Sequence, residues 1–195
     1  MCKHKKEIGK EMREQIKSYK TREWIIIASL AAVMGVFLYF MDTMWSVFSN
    51  LLGPTFMALT FGIYALSALL PGYLLRKPGA ALLGSVFAAV INILVGSPFG
   101  IHIIVAGSLQ GLGAEVAFGI TRYKKYGIGN FMLAGIFITL FVSSRDYFVF
   151  SLGMLPPALL IATLAIRIVS ISIISYFICV AIGAALKKTN LIKNL

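Results

Sequence analysis

The sequence predicts an all-α membrane protein in which six helices cross the bilayer and both termini lie in the cytoplasm. Of the 195 residues, 59% are hydrophobic and only 13% are charged, and the mean hydropathy is +0.89, which is too apolar for a soluble domain of this size. Sixteen of the eighteen Lys and Arg residues fall in the two tails and in the turns at 76–77 and 122–125. The alternate connectors contain none. Because cytoplasmic segments of membrane proteins collect Lys and Arg, this alternation predicts both the number of helices and their orientation.

Three regions follow from this pattern. Residues 1–23 form a basic cytoplasmic tail, residues 24–186 form the six-helix transmembrane domain, and residues 187–195 form a second basic tail. The first tail could lie as a helix on the membrane surface or remain a solvated segment that sets orientation. The net charge of +11 does not indicate a nucleic-acid partner, because the cations are not gathered on one face. We therefore predict that the chain lies in the lipid bilayer and has no nucleic-acid partner.

The first span runs over 24–41. Ala28 and Ala32 lie one helical turn apart in it, so their small side chains share one face and would let another helix approach closely. The segment 42–54 is predicted to be a connector. Its Trp45 indicates either an aromatic anchor at the membrane interface or part of a lid over a pocket, and both interpretations stay open.

The second and third spans are joined by the basic turn at 76–77. The second covers 55–75 and contains Tyr64, and the Pro71-Gly72 pair is expected to loosen its end. The third covers 78–95 and carries Asn92 near its far end.

The fourth span begins within 101–106 and ends at Thr121. It places Gly107, Gly111 and Glu115 on one helical face. Small residues in this pattern predict a helix that packs tightly against a neighbour.

The last two spans flank a loop at 151–157. The fifth span covers 130–150 and ends with the run Arg145-Asp146-Tyr147. The sixth continues to about Leu186 and carries Arg167 about ten residues from its start.

Few motifs in this chain suggest enzymatic chemistry. A GxxxxGK[ST] phosphate loop, an HExxH motif and a cysteine cluster are all missing from the sequence, so we predict no ATPase activity, no metal site and no cofactor. An intramembrane enzyme would have to use Asp42 and Asp146 as an acid pair. A stand-alone permease is a further alternative, in which Glu115 or Asp146 would carry a coupling proton.

Polar and aromatic side chains inside the bundle indicate a binding site instead. They would suit a small polar or cationic aromatic molecule. The predicted substrate-binding residues are Glu115, Gln110, Asn92, Tyr64, Trp45, Asp146 and Tyr147. For Gln110 and Asn92, hydrogen bonds between helices are an equal alternative. Arg167 could be the buried counter-ion of Glu115 or of Asp146. Gln110 and Glu115 lie about 140° apart around the helix axis, so only a wide pocket would hold both.

Several motifs of this chain resemble the YkoE family. Members of that family are the substrate-capture (S) components of energy-coupling-factor (ECF) transporters for thiamine and its hydroxymethylpyrimidine precursor. The resemblance covers most of the chain beyond the N-terminal tail. It lies in Arg76-Lys77-Pro78-Gly79-Ala80-Ala81, in Gly96-Ser97-Pro98, above all in Gln110-Gly111-Leu112-Gly113-Ala114-Glu115, and more loosely in Arg145-Asp146-Tyr147 and Ile166-Arg167.

The resemblance implies a six-helix S-component fold in a prokaryotic plasma membrane, with a pocket open to the outside and a mobile connector after the first helix as its lid. It implies that Ala28 and Ala32 dock on a transmembrane coupling subunit. It also implies two cytoplasmic ATPase subunits, which agrees with the missing phosphate loop.

The ligand implied by the resemblance is thiamine or hydroxymethylpyrimidine. The family pattern has a carboxylate where this chain has Asn92. An aminopyrimidine presents an amino donor beside ring nitrogens, which a carboxylate or carboxamide can match with paired hydrogen bonds. With Asn92 in place of an acid, the preference for a cation should weaken, so the sequence favours a pyrimidine-type ligand.

Overall fold

The computed structural model describes residues 19–149 and 151–188, and all its regular elements are helical. Most of the two predicted tails, residues 1–18 and 189–195, and residue 150 at the predicted end of the fifth span lie outside the described residues. The α-helices are α1 (Thr21–Met57), α2 (Phe61–Tyr64), α3 (Leu66–Leu75), α4 (Ala80–Val95), α5 (His102–Ile120), α6 (Ile128–Val149), α7 (Pro157–Ser170) and α8 (Tyr176–Lys188). Short 3-10 turns cover Ala58–Thr60 and Leu152–Met154, and a π turn, Ile171–Ser175, joins α7 to α8.

Six apolar segments cross the bundle, which confirms the predicted all-α architecture. Five are long enough to span a membrane: Thr21–Phe48, Ala58–Leu75, His102–Ile120, Ile128–Val149 and Pro157–Leu186. The sixth, α4, has 16 residues. At about 1.5 Å per residue it measures about 24 Å, somewhat less than the hydrocarbon thickness of about 30 Å.

The prediction of a connector after the first span is wrong. Helix α1 continues through this segment to Met57, and the one residue inside it with non-helical backbone angles is Gly53, at φ 74° and ψ 164°. No Gly or Pro precedes Gly53 within 42–52, and the Thr43 hydroxyl donates to the Tyr39 carbonyl oxygen as in a regular helix. Nothing in the local sequence therefore ends the helix where the connector was predicted.

The irregular part of the second span also differs from the prediction. Pro71 lies inside α3, which stays helical to Leu75, so the Pro71-Gly72 pair does not loosen it. The break falls earlier, at the Ala58–Thr60 turn and at Ala65 between α2 and α3.

Serine side chains from the last span satisfy the backbone at this break. Ser170 donates to the Leu59 carbonyl oxygen and accepts from the Gly62 amide at 3.0 Å, while Ser175 donates to the Gly62 carbonyl oxygen at 2.6 Å. Backbone groups freed from a helix inside an apolar bundle need such partners. The break at 58–65 and the π turn at 171–175 are therefore one structural unit.

Helix α5 packs tightly on two sides, which confirms the prediction from its glycines. A Cβ atom at Gly107 would lie 2.9 Å from the Ala89 Cβ, and one at Gly111 would lie 2.7 Å from the Leu82 Cα, both on α4. A Cβ atom at Gly113 would lie 2.8 Å from the Ile138 Cα on α6. Only glycine allows these helix backbones to approach so closely.

The described chain has two contrasting ends. The basic end is formed by residues 19–23, 76–79 and 121–127, and the cavity end by the loops 96–101 and 151–156. At the basic end the Tyr19 hydroxyl donates to the Pro78 carbonyl oxygen at 2.8 Å. Helix α8 reaches the same end, where Gly183 lies against the Tyr73 ring. That the basic end faces the cytoplasm remains a prediction from charge.

Candidate binding site

A cavity of about 150 Å³ lies towards the cavity end, between α1, α2, α5, α6 and α7. Its wall combines charged and carboxamide side chains with aromatic rings. The polar lining residues are Asp42, Gln110, Arg145, Asp146 and Arg167. The aromatic ones are Trp45, Phe61, Tyr64 and Phe99.

Asp42 on α1 is almost fully buried and accepts three hydrogen bonds. Its Oδ1 accepts from the Tyr64 hydroxyl at 2.9 Å, and its Oδ2 accepts from Asn92 Nδ2 and from Ser97 Oγ, each at 2.8 Å. These donors come from α2, from α4 and from the loop after α4. One carboxylate therefore holds three elements together at the rim of the cavity.

Asp146 on α6 is bound by two guanidinium groups. Its Oδ1 accepts from Arg145 Nε at 3.0 Å and from Arg145 Nη2 at 2.5 Å, and its Oδ2 accepts from Arg167 Nη1 at 2.8 Å. Arg145 also donates to the His102 carbonyl oxygen at 2.9 Å, which ties α6 to the start of α5. The local salt bridge predicted for the Arg145-Asp146 pair is present, and Asp146 rather than Glu115 is the counter-ion of Arg167.

Arg167 links the ion pair to the aromatic wall. Its Cζ lies 3.7 Å from the centroid of the Phe61 ring, and its Nη1 also donates to Ser143 Oγ at 2.7 Å. The Arg167 Nε is buried and has no hydrogen-bond partner. A buried donor left open beside a cavity is a group that a bound molecule can satisfy.

Gln110 and Asn92 both form hydrogen bonds between helices, but they differ in position. Gln110 lines the cavity, and its Nε2 donates to the Tyr64 carbonyl oxygen and to Ser67 Oγ, each at 2.8 Å. Asn92 does not line the cavity and lies behind Asp42, where its Oδ1 is buried without a partner. The hydrogen bonds between helices predicted as one alternative are present for both residues, and ligand contact stays a prediction for Gln110.

Glu115 is not brought to this cavity. It lies near the basic end of α5, where Oε1 accepts from the backbone N–H groups of Ala81 and Leu82 at 2.8 and 3.3 Å. Its Oε2 accepts from the Tyr123 hydroxyl at 2.6 Å. The carboxylate caps the N-terminus of α4, where the helix dipole favours a negative charge. Burial and the adjacent Glu115 raise the pKa of Tyr123, so its hydroxyl stays protonated and donates.

The other predicted residues divide between cavity and surface. Trp45 lines the cavity and meets the Phe99 ring edge-on, with centroids 5.6 Å apart. Tyr147 is half exposed, does not line the cavity, and packs on Phe148. Ala28 and Ala32 are exposed on the outer face of α1, a position open to a partner helix.

Sequence reasoning weighed Asp42 only as half of an enzymatic acid pair and did not predict it as a binding residue. Asp42 and Asp146 line the same cavity, but each is hydrogen-bonded to different donors. An acidic residue inside an apolar membrane helix is a candidate for a functional role. Asp42 was not predicted to have one because residue 42 was assigned to a connector at the membrane boundary.

Comparisons with known proteins agree with this architecture. Residues 22–141 match the family model described as ABC-type cobalt transport system, permease component. The chain is 31% identical over 180 residues to a Bacillus subtilis (strain 168) protein named "Putative HMP/thiamine permease protein YkoE", covering 92% of this chain and 90% of the relative.

A solved structure shows the same fold. It is titled "Crystal structure of an S-component of ECF transporter", and it matches with a TM-score of 0.87 and 31% sequence identity over 91% of this chain and 90% of that chain. With its apolar helices, this makes the protein a multi-pass protein of the cell membrane with a transport role. The chain belongs to the YkoE family of ECF transporter S components.

Proposed function

We propose that this protein captures thiamine or its hydroxymethylpyrimidine precursor in the cavity between α1 and α7 and presents it for ATP-driven import. The observation that carries the proposal is the composition of the cavity wall. Carboxylate and carboxamide acceptors, guanidinium donors and aromatic faces meet in one small space. A nitrogen heterocycle with amino and hydroxyl groups can use all three kinds of group.

The size of the cavity supports a compact ligand. Pockets for drug-sized molecules measure roughly 300–1,000 Å³. The cavity here measures about 150 Å³, which favours a small heterocycle over a larger cofactor.

The donor set favours an organic ring over a metal ion as cargo. In residues 19–149 and 151–188 no group of three or more His, Cys, Asp or Glu side chains is placed to hold a metal. One of the two cavity carboxylates, Asp146, is already occupied by two guanidinium groups.

Import requires partners that this chain would dock through α1. Its exposed face carries Ala28 and Ala32 between bulkier side chains, Ile25 and Val33, which are 60% and 69% exposed. The small side chains of Ala28 and Ala32 would let a helix of a transmembrane coupling subunit approach closely. Two cytoplasmic ATPase subunits would supply hydrolysis, because the sequence has no phosphate loop of its own.

Calorimetric titration of the purified full-length protein in detergent tests the proposal. We expect saturable binding of thiamine, hydroxymethylpyrimidine or both, and none of an unrelated vitamin such as biotin. The variant Trp45→Ala should weaken binding about 5- to 150-fold, because a stacked ring contributes about 1–3 kcal/mol.

Trp24→Ala is the matched control, since Trp24 packs on Tyr19 and Phe87 away from the cavity and should not affect affinity. Equal or tighter binding of an unrelated vitamin by the wild type would refute the proposed substrate class.

A further inference from the structure

An open groove lies at the basic end of the bundle, where the turn after α5 leads into α6. Its volume is about 520 Å³. Lys125, Gly127, Gly129, Asn130 and Leu133 are among the residues that line it. None of these residues lines the cavity between α1 and α7, so the capture function proposed above does not account for the groove.

The wall of the groove contains a buried acceptor without a partner. Asn130 is only 5% exposed. Its Nδ2 donates to the Lys125 carbonyl oxygen at 2.7 Å, which closes the turn before α6 and fixes the orientation of the carboxamide. Its Oδ1 is left buried and accepts no hydrogen bond. A bound molecule that carries a hydroxyl or amino donor can satisfy this atom.

The same groove attracts negative charge. It lies at the start of α6, and the first N–H groups of a helix, together with the helix dipole, favour an anion. The Lys125 side chain is exposed, and among the described residues no carboxylate forms an ion pair with it. Arg122 and Lys124 add two further cations in the same turn. A phosphate group therefore suits the groove.

The groove is continuous with an apolar surface of α6. Ile128, Met132, Ile136 and Leu140 follow one another every four residues and are 38% to 57% exposed, so they form a stripe along one side of the helix. Because α6 is a membrane-spanning helix, this stripe lies against acyl chains. A molecule with a phosphate at the start of α6 and an apolar part along the stripe has the form of a phospholipid.

We propose that the groove binds the headgroup of an anionic phospholipid that carries a free hydroxyl group. The phosphate would lie against the N-terminus of α6 and Lys125, and the headgroup hydroxyl would donate to Asn130 Oδ1. Phosphatidylglycerol has this chemistry. Phosphatidylcholine has no net charge and no donor in its headgroup. The proposal does not depend on the substrate proposed for the cavity, because the two sites share no residue.

Native mass spectrometry of the purified, delipidated full-length protein tests the site. The protein is titrated with phosphatidylglycerol, with phosphatidylcholine and with soluble glycerol phosphate. We expect saturable binding of phosphatidylglycerol, about 10- to 100-fold tighter than that of phosphatidylcholine, the range for hydrogen bonds to a charged group. Glycerol phosphate should not bind at the same concentrations, because it has no acyl chains to lie along the stripe.

The wild-type titrations can overturn the proposal without any variant. Equal affinity for the two lipids would mean that lipid surrounds the protein without a specific site. Saturable binding of glycerol phosphate as tight as that of phosphatidylglycerol would mean that the groove takes a soluble phosphate ester and not a lipid.

A matched pair of lysine variants locates the site. Lys125→Gln should weaken phosphatidylglycerol binding about fivefold, the effect of one cation beside an anionic headgroup. Lys124→Gln removes the same charge from an exposed residue that does not line the groove, so affinity should stay within about twofold of wild type, because solvent screens that charge. Equal losses in the two variants would indicate attraction to the whole basic turn and would refute a site in the groove.

A third variant fills the groove. A Cβ atom at Gly129 would have no atom within 4 Å, so the side chain of Gly129→Leu has room to enter the groove. This variant should lose saturable binding of phosphatidylglycerol while its unfolding temperature in detergent does not fall. Unchanged binding in Gly129→Leu would place the lipid elsewhere and overturn the proposal.

Discussion

The basic end and the cavity end of the bundle both bury carboxylates, but they use them differently. At the basic end, Glu115 caps α4 through two backbone N–H groups and Tyr123, and Glu23 pairs with Lys77 at 2.8 Å. At the cavity end, Asp42 and Asp146 are held by side chains from several helices.

The two ends differ in whether a buried polar atom without a hydrogen-bond partner belongs to a residue that lines the cavity. The carboxylates of Glu23 and Glu115 bind neighbouring helix ends and turns, so they stabilise the fold. The buried Nε of Arg167 has no hydrogen-bond partner and belongs to a residue that lines the cavity, whereas the buried atoms without a partner near the basic end, Tyr126 Oη and Asn130 Oδ1, do not line it. A buried donor without a partner is energetically costly, and on the wall of a cavity a bound ligand can satisfy it. We expect substitutions at the basic end to lower stability without changing ligand affinity, and substitutions at the cavity end to lower ligand affinity.

The largest expected effect comes from removing the shared acceptor of the cavity end. Asp146→Asn removes the counter-ion of the buried Arg167 guanidinium and one ion pair of Arg145, and breaking a buried ion pair in this way costs about 3–5 kcal/mol. The unfolding temperature of the purified protein should fall clearly, and ligand binding should fall with it.

Ser144→Ala is the neighbouring control, because the exposed Ser144 bonds only to the Phe141 carbonyl oxygen of its own helix. It should leave the unfolding temperature unchanged. If Asp146→Asn were as stable as Ser144→Ala, the ion cluster would not be holding α6 to α7.

A smaller effect is expected from the helix that connects the two ends. Gly113→Ala on α5 would push a methyl group to 2.8 Å from the α6 backbone at Ile138, and overpacking of this kind costs about 1–3 kcal/mol. In Gly119→Ala the new Cβ would have Tyr123 Oη as its nearest neighbour, at 3.9 Å. Thermal unfolding should therefore show a loss for the first variant and none for the second. Equal losses would indicate a helix-wide effect rather than contact with α6.

The sequence was sufficient for the architecture because membrane crossing is dictated by composition and charge. The six apolar segments, the tight packing of α5 at its glycines and the Arg145-Asp146 pair all follow from local pattern. The resemblance also predicted the family correctly, because its motifs run through the described chain.

The site was only half predictable, since it depends on contacts between distant residues. Trp45, Tyr64, Gln110 and Asp146 do line the cavity, whereas Glu115, Asn92 and Tyr147 do not. The polar residues after Asp42 suggested a connector, although no Gly or Pro interrupts 42–52 and α1 continues through it. Asp42 bonds to Asn92, fifty residues away along the chain, and local sequence pattern does not reveal such a contact. The angle of about 140° between Gln110 and Glu115 around the helix axis correctly predicted that a narrow pocket would not hold both.

The smallest expected effect sharpens the comparison most. In Glu115→Gln the carboxamide oxygen can still accept from the Ala81 and Leu82 amides, but an NH2 group replaces the oxygen that accepts from the Tyr123 hydroxyl, so the variant loses the charge at the N-terminus of α4 and that hydrogen bond. Such a charge contributes about 0.3–1 kcal/mol, so the unfolding temperature should drop slightly while thiamine affinity stays within about twofold of wild type. Tyr123→Phe, which removes the 2.6 Å hydrogen bond but keeps the ring, should behave alike. Calorimetry on these preparations measures thiamine affinity, and thermal unfolding measures stability. Loss of binding in Glu115→Gln with an unchanged unfolding temperature would mean that a charge at the basic end acts in capture, and the division between the two ends would fail.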